Sequence, residues 1–176
     1  MALTRLGLNQ SINLATNVTG TLATGNGGTG LTSYAPGKIL QAVTATHATQ
    51  VSSTDSSSWT DTGLTLNITP SATSSKVLFI ISQQGFVTRS SSLARGIFRV
   101  LRGSTTVFDS ANFTMNMQQT GSDLSHSTML SFSGLDAPSS TSALTYKSQI
   151  LPEASTTMMA QQNNHPSTIT LLEVAA

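Results

Sequence analysis

The sequence predicts an all-β protein in which an extended N-terminal arm precedes an antiparallel, jelly-roll-like β-sandwich. Only 9% of the 176 residues are charged, whereas Ser and Thr together make up roughly a third of the chain. β-branched side chains suit a pleated sheet, and Ser, Asn and Gly suit turns. An alternating N-terminal segment is followed by short apolar runs with turn residues between them. We therefore expect an arm and hinge in residues 1–35 and a head domain in residues 36–176.

The arm shows a period of two, with apolar side chains on even positions and mostly Asn, Ser or Thr between them. A strand of about 17 residues would be ~55 Å long at ~3.3 Å per residue, which is far longer than the strands of a compact domain. We expect such a segment to bury its apolar edge against copies of itself or against another protein. The alternative is a disordered leader in which the alternation is accidental. The expected apolar edge consists of Leu6, Leu8, Ile12, Leu14, Val18 and Leu22.

A glycine-rich segment ends the arm and predicts a hinge or tight turn, because glycine adopts positive φ readily and weakens strands. The segment also matches the G-x-G-x-x-G pattern of dinucleotide sites. That fingerprint requires a following helix and an acid about 20 residues on. Here Pro36 and a predicted strand follow, and the first acid is Asp55, so we expect no nucleotide and no other cofactor. The hinge glycines are Gly25, Gly27, Gly28 and Gly30.

Short apolar runs between turn residues predict the strands of the head. The continuous run Val77–Ile81 predicts the central buried strand. Gly103 follows one run and precedes another, which predicts a tight type II′ hairpin. The predicted strands are Lys38–Thr46, Leu64–Ile68, Lys76–Gln83, Ile97–Arg102, Thr105–Phe108, Thr128–Ser133, Leu144–Ile150, Thr156–Gln161 and Thr168–Val174.

The candidate chemical groups do not form a recognisable catalytic motif. His47, His126 and His165 occur together with five Asp and many Ser, but no G-x-S-x-G elbow is present and no spacing joins a His to an acid. We therefore expect no enzymatic activity and no metal site within one chain. In a trimer, one His from each chain could still meet on the axis and bind an ion.

Trp59, the only tryptophan, lies in a Ser-rich loop. An exposed aromatic among hydroxyls could stack on a sugar or a protein partner, whereas the alternative is that Trp59 folds back to cap the sandwich. The net charge of +1 and the absence of a basic cluster argue against nucleic acid as a partner. No segment approaches the ~20 apolar residues of a membrane helix, so we expect no membrane insertion.

The junction between arm and head resembles a known protein family. Asn17-Val18-Thr19-Gly20-Thr21-Leu22-Ala23, followed by Asn26-Gly27-Gly28-Thr29-Gly30-Leu31-Thr32-Ser33, is similar to the NVTGTLP…NGGTGLTS junction of bacteriophage tail-fibre and fibre-like proteins. Ala23 stands where the family has Pro. The segments Lys38-Ile39-Leu40-Gln41, Asp61-Thr62-Gly63-Leu64, Ile68-Thr69-Pro70, Leu101-Arg102-Gly103-Ser104-Thr105 and Ser167-Thr168-Ile169-Thr170-Leu171-Leu172-Glu173 resemble the C-terminal domain behind that junction.

The resemblance implies a bacteriophage virion structural protein, displayed on the particle surface after assembly in the host cytoplasm. The arm would anchor it to other virion proteins of the tail or capsid. The head would be a homotrimer that presents itself for host adsorption, with a cell-surface polysaccharide or protein as receptor and Trp59 as a receptor contact. The alternatives are a capsid decoration or cement protein that stabilises the shell without binding a receptor, and a hydrolytic spike.

Overall fold

The computed structural model describes residues 38–110, 112–120 and 123–176, which form an antiparallel β-sandwich. One sheet has six strands and the other has five. The compact unit that contains them runs from Gly37 to Ala176. The strands are β1 (Ile39–His47), β2 (Val51–Ser53), β3 (Thr60–Ile68), β4 (Lys76–Arg89), β5 (Leu93–Arg102), β6 (Thr105–Asp109), β7 (Met115–Gln118), β8 (Leu124–Asp136), β9 (Leu144–Pro152), β10 (Thr157–Ala160) and β11 (Ser167–Val174).

The topology is that of a jelly roll, as the sequence predicts. The six-stranded sheet contains the order β1-β11-β4-β8, and the five-stranded sheet contains β3-β9-β5-β6. Counted along these eight strands, one sheet therefore holds the first, eighth, third and sixth, and the other holds the second, seventh, fourth and fifth. This order is the double Greek key of a jelly roll. Three shorter strands extend it, since β2 and β10 join the first sheet and β7 joins the second.

All nine predicted strands are present, but several are longer than their apolar runs. The predicted strand Thr128–Ser133 lies within β8, which runs from Leu124 to Asp136. The observed strand is longer because its backbone pairs with β4 at Ser and Thr positions as well as at apolar ones. The strands β2 and β7 were not predicted. Both are short and carry no apolar run, so only their pairing partners in the folded sheet define them.

The strand β4, which contains Val77–Ile81, lies at the centre of its sheet as predicted, but it is buried on one face only. Val77, Phe79 and Ile81 point into the sandwich and are buried, whereas Ile80 is 42% exposed. Side chains of a strand alternate between the two faces, so Leu78 and Ile80 point away from the core. The continuous run therefore supplies one buried face and one exposed apolar face.

The hairpin between β5 and β6 confirms the predicted turn. Arg102 pairs with Thr105, which leaves Gly103 and Ser104 as a two-residue loop. Gly103 has a φ of 57°, while Ser104 keeps a negative φ. These signs are those of a type II′ turn, in which glycine takes the first central position without steric cost.

Four phenylalanine rings join the two sheets in the core. Phe108 stacks on Phe132 with ring centroids 5.3 Å apart, and its edge approaches Phe79 at 6.5 Å. Phe98 packs against Phe132 at 6.1 Å. Because full burial of such a side chain contributes about 1.5–3 kcal/mol, these aromatic contacts form a major part of the stabilisation between the sheets.

A polar layer crosses the core beside the aromatic cluster. The Gln83 amide donates to Ser167 Oγ at 2.9 Å and accepts from Ser148 Oγ at 2.8 Å. Ser148 also shares a hydrogen bond of 2.5 Å with Thr62 Oγ1, so the layer links both sheets. The Gln161 amide completes it when its oxygen accepts from Gln83 Nε2 at 2.7 Å. Buried polar groups of this kind fix the register of the sheets, because an unpaired one costs about 1–3 kcal/mol.

Two carboxylates near the ends of the sandwich are held by hydrogen bonds. Glu173 is fully buried, and its carboxylate accepts from the Ser71 amide at 2.7 Å, from Ser71 Oγ at 2.6 Å and from Gln41 Nε2 at 2.7 Å. Asp136 accepts from the Tyr146 hydroxyl at 2.6 Å and pairs with Arg102. Burial raises the pKa of Tyr146, and its bond to the Asp136 carboxylate raises it further.

Candidate functional site

The loop that carries Trp59 connects β2 to β3 and is shaped by its own polar side chains. Asp55 Oδ1 accepts from the Ser57 amide at 2.8 Å and from Ser57 Oγ at 2.6 Å, which forms a local Asx turn. These hydrogen bonds to Ser57 lower the pKa of Asp55. Ser53 Oγ closes the base of the loop, accepting from Thr60 Oγ1 at 3.0 Å. Trp59 is therefore presented from a turn with defined hydrogen bonds.

Trp59 lies on the outer surface of the five-stranded sheet and does not join the buried core of the described residues. The Arg99 guanidinium covers one side of its ring, with Cζ 4.2 Å from the ring centroid. The indole is half-buried as a result. A cation over an aromatic face attracts its π-electrons, and such contacts at partly exposed sites contribute about 0.5–1 kcal/mol. The alternative that Trp59 caps the sandwich is not what the structure shows.

A chain of hydrogen bonds holds Arg99 in place beneath the indole. Arg99 Nε donates to Gln149 Oε1 at 2.7 Å, and Gln149 Nε2 donates to Asp61 Oδ1 at 2.6 Å. Lys147 Nζ donates to Asp61 Oδ2 at 2.8 Å. Pairing of β3, β9 and β5 produces this order, because Gln149 lies opposite both Asp61 and Arg99 in the sheet. We call Trp59, Asp61, Arg99, Lys147 and Gln149 the Trp59 platform.

The Asp61 carboxylate keeps its charge at this surface. Burial alone would raise its pKa, but hydrogen bonds from Lys147 and Gln149 and the positive charges of Lys147 and Arg99 outweigh that effect and lower the pKa. The platform therefore combines an aromatic face, a carboxylate and two cations in fixed positions. Chemically, it can stack on a flat apolar surface and exchange hydrogen bonds with hydroxyl or amide groups.

The sequence identified Trp59 but not its four partners. Arg99 and Lys147 belong to predicted strands, and alternation alone could have placed each on a strand's outer face. Which strands lie side by side depends on the jelly-roll order, which local patterns do not contain. The arm residues Leu6, Leu8, Ile12, Leu14, Val18 and Leu22 and the hinge residues Gly25, Gly27, Gly28 and Gly30 lie outside the described residues.

The histidines are spread over the head. His47 ends β1 and packs against Gly63, His126 lies within β8, and His165 is exposed before β11. Within the described part of the chain, no group of three or more His, Cys, Asp or Glu side chains is arranged to hold a metal ion. The same residues include no helix that is long and apolar enough to cross a membrane.

Comparison with known proteins gives structural similarity alone. No family model matches the sequence, and no curated protein matches it either. Among solved structures, similar chains include VP2 from derived T=1 particles of infectious bursal disease virus, with 18% identity and a TM-score of 0.34. A VP2 subviral particle of the same virus gives 18% identity and a TM-score of 0.35.

The match to these viral capsid proteins is partial in length. It covers 78% of this chain and 37% of VP2 in the first structure, and 77% and 38% in the second. The chain therefore spans well under half of the VP2 chains that it resembles. At these values the similarity concerns only the β-sandwich.

Proposed function

We propose that the chain is a structural protein of a bacteriophage virion, displayed on the particle surface and presenting its head to the host cell. The arm-to-head junction, which resembles that of phage fibre proteins, supports the virion assignment. The jelly-roll head supports a role in binding or assembly, because this architecture serves capsid and lectin domains alike. Fold alone does not specify function, which depends on the chemistry of the site.

The observation that carries host contact is the Trp59 platform. Sugars bind proteins by stacking their C–H faces on aromatic rings while their hydroxyls exchange hydrogen bonds with nearby polar side chains. Trp59 offers part of its ring to solvent, and Asp61 and Lys147 supply an acceptor and a donor beside it. Hydrogen bonds already fix the platform, so little side-chain entropy is lost on binding. A host cell-surface polysaccharide fits best, and a surface protein is the second receptor class.

An adsorption assay with the full-length recombinant protein tests this function. The protein should bind host cells and compete with the phage that encodes it, and Trp59→Ala should weaken binding by about 1–2 kcal/mol, roughly 5- to 30-fold. Asn67→Ala is the matched control, since Asn67 is exposed on the same sheet outside the platform. Full competition by Trp59→Ala, with melting unchanged, would remove the platform from host contact.

The alternative is a capsid decoration or cement protein, which would need the head to pack on other virion proteins. The exposed apolar side chains on the six-stranded sheet, among them Ile80 and Leu135, favour this second function, because exposed apolar surface suits contact with protein. Particles labelled with an antibody to the head separate the two locations, since tail labelling supports a fibre and shell labelling supports decoration. Failure of the protein to compete for adsorption would favour decoration.

The arm is the proposed attachment to the virion, and homotrimer assembly belongs to the same proposal. Replacing Leu8, Ile12 and Leu14 with Ser should leave the head folded and abolish incorporation into particles, because the apolar edge could no longer be buried. Thr19→Ser, which leaves that edge intact, is the control. Normal copy number in particles after deletion of residues 1–22 would contradict anchoring and favour a disordered leader.

A further inference from the structure

The outer face of the five-stranded sheet carries two contacts between an arginine and an aromatic ring. Arg99 lies against Trp59 in the Trp59 platform. Four residues earlier on β5, Arg95 lies against Phe113, with its Cζ 5.0 Å from the ring centroid. Residues four apart on a strand point to the same side, and at ~3.4 Å per residue their backbones are about 14 Å apart. The face therefore presents two aromatic positions at a defined spacing.

The surroundings of Phe113 repeat the chemistry of the Trp59 platform. Arg95 Nε donates to Asn116 Oδ1 at 3.3 Å, just as the arginine of the Trp59 platform donates to a glutamine oxygen. A carboxylate is again present, since Glu153 pairs with Arg95 at 3.7 Å and with Arg89 at 3.5 Å. Each position thus combines an aromatic ring, an arginine, a side-chain amide and a carboxylate. We call Arg95, Phe113, Asn116 and Glu153 the Phe113 platform.

Hydrogen bonds hold the loop that carries Phe113, between β6 and β7, against the edge of β5. Thr114 Oγ1 accepts from the Phe98 amide at 3.3 Å and donates to Ser110 Oγ at 2.8 Å. The Phe113 side chain is half-buried, so part of its ring stays accessible. Because the ring and its arginine are positioned before a ligand arrives, little conformational entropy is lost on binding.

An apolar strip joins the two platforms. Ile97 lies midway between Arg95 and Arg99 on the outer side of β5, and it pairs with Leu151 of β9. Both apolar side chains are partly exposed. A ligand that contacts both aromatic rings would cross this strip and pack its C–H groups on it. The two platforms are therefore connected by surface that suits the same ligand.

The charges of the two platforms are nearly balanced. Each cation has a carboxylate beside it, and only Arg89, which shares Glu153, is in excess. Sites for nucleic acid or another polyanion instead present clustered cations that the protein does not neutralise. An uncharged ligand therefore fits this face better than an anionic one. The pairs are Arg95–Glu153, Lys147–Asp61 and Arg99–Asp109, of which the last two residues lie opposite each other in the strand register.

We infer that the two platforms together bind one extended, uncharged glycan chain, with one sugar unit stacked on Trp59 and another on Phe113. The C–H faces of sugars stack on aromatic rings, and the neighbouring amides and carboxylates exchange hydrogen bonds with hydroxyl groups. Once one platform holds the chain, binding at the other is intramolecular, which strengthens the whole contact. The inference rests on the host contact proposed above, and it adds a second contact together with the shape and charge of the receptor.

Binding of host polysaccharide fragments of different lengths tests the inference in the full-length protein. The probe is surface polysaccharide extracted from host cells, cut by mild acid and sorted by size, and calorimetry measures its affinity. Fragments much longer than ~14 Å should bind roughly tenfold more tightly than fragments too short to reach both rings, because only the long ones use both platforms. Added salt should leave the affinity unchanged, because the chain is uncharged.

Substitutions at Phe113 give a second readout. Phe113→Leu keeps an apolar side chain without the ring, and it should remove most of the gain in affinity of the long fragments. Phe113→Tyr keeps the ring and should keep the gain. Asn67→Ala, at an exposed position of the same sheet outside both platforms, should also keep it. Melting checks that each variant is folded.

Four results would overturn the inference while leaving host contact in place. They are equal affinities for short and long fragments, an unchanged gain in Phe113→Leu, a steep loss of affinity with added salt, and binding to host cells that protease treatment removes while the polysaccharide does not bind. The last of these would identify a protein receptor. Absence of any binding to host cells would overturn host contact and this inference together.

Discussion

Replacement of Glu173 by Gln should destabilise the head at neutral pH and reduce its sensitivity to acid. The Glu173 carboxylate is buried, and each of its oxygens accepts from a donor on Ser71 or Gln41. Burial alone would raise its pKa, but the hydrogen bonds from Ser71, Ser75 and Gln41 lower it to about 2. A glutamine amide would place its own N–H₂ group against one of these donors.

The magnitude follows from the bonds that the substitution removes. Hydrogen bonds to a buried charged group contribute about 1.5–3 kcal/mol, so E173Q should lower the free energy of unfolding at pH 7 by that amount. Because the pKa is lower in the folded state, the wild-type stabilisation is complete above the usual pKa of 4.5 and is lost as the pH falls to about 2. The difference between wild type and E173Q should therefore shrink between pH 4.5 and 2.

Urea denaturation at pH 7, 4 and 2.5 measures these free energies. Glu153, the only other glutamate, is a matched control because its carboxylate pairs with Arg89 and Arg95 at 3.5 and 3.7 Å and stays partly exposed. E153Q should cost less than about 1 kcal/mol, as is usual for surface ion pairs. Equal losses in the two variants, or a constant E173Q effect at all three pH values, would refute the reasoning.

Three further stability predictions use the same denaturation assay. Gly63→Ala should cost about 1–3 kcal/mol, because Gly63 has a φ of 82° and an added Cβ would collide with the His47 ring, which would then have to shift. Gly103→Ala should cost no more than about 1 kcal/mol, since its φ is also positive but nothing lies within 4 Å; a larger loss than at Gly63 would contradict this ranking. Ser148→Ala should cost about 1–3 kcal/mol by leaving Gln83 Oε1 without its donor, and a neutral effect would show that the polar layer contributes little.

The sequence predicted the fold class because the strands of a half-buried sheet carry their own signal. β11 alternates in sequence and in burial, so its period of two was informative. β4 was harder, since a continuous apolar run is typical both of a strand buried on two faces and of one that exposes an apolar surface. Its pairing with β8 and β11, which involves residues distant in sequence, determines which face of β4 is buried and which is exposed.

The candidate site was predictable only in part, because the order of strands in a sheet is not contained in local sequence patterns. Trp59 is distinctive because it is unique and lies in a polar loop. Gln149 and Arg99 are ordinary residues of strands, and they meet only because β9 lies between β3 and β5. Such pairing is set by the global order of the strands, which depends on contacts distant in sequence.

Detection of this protein on purified phage particles tests the central proposal most directly. Particles should carry it in stoichiometric copy number, and an antibody to the head should label intact particles at their surface. Particles whose chain lacks residues 1–22 should lose both signals. Highly purified infectious particles that contain none of this protein would contradict a role in the virion.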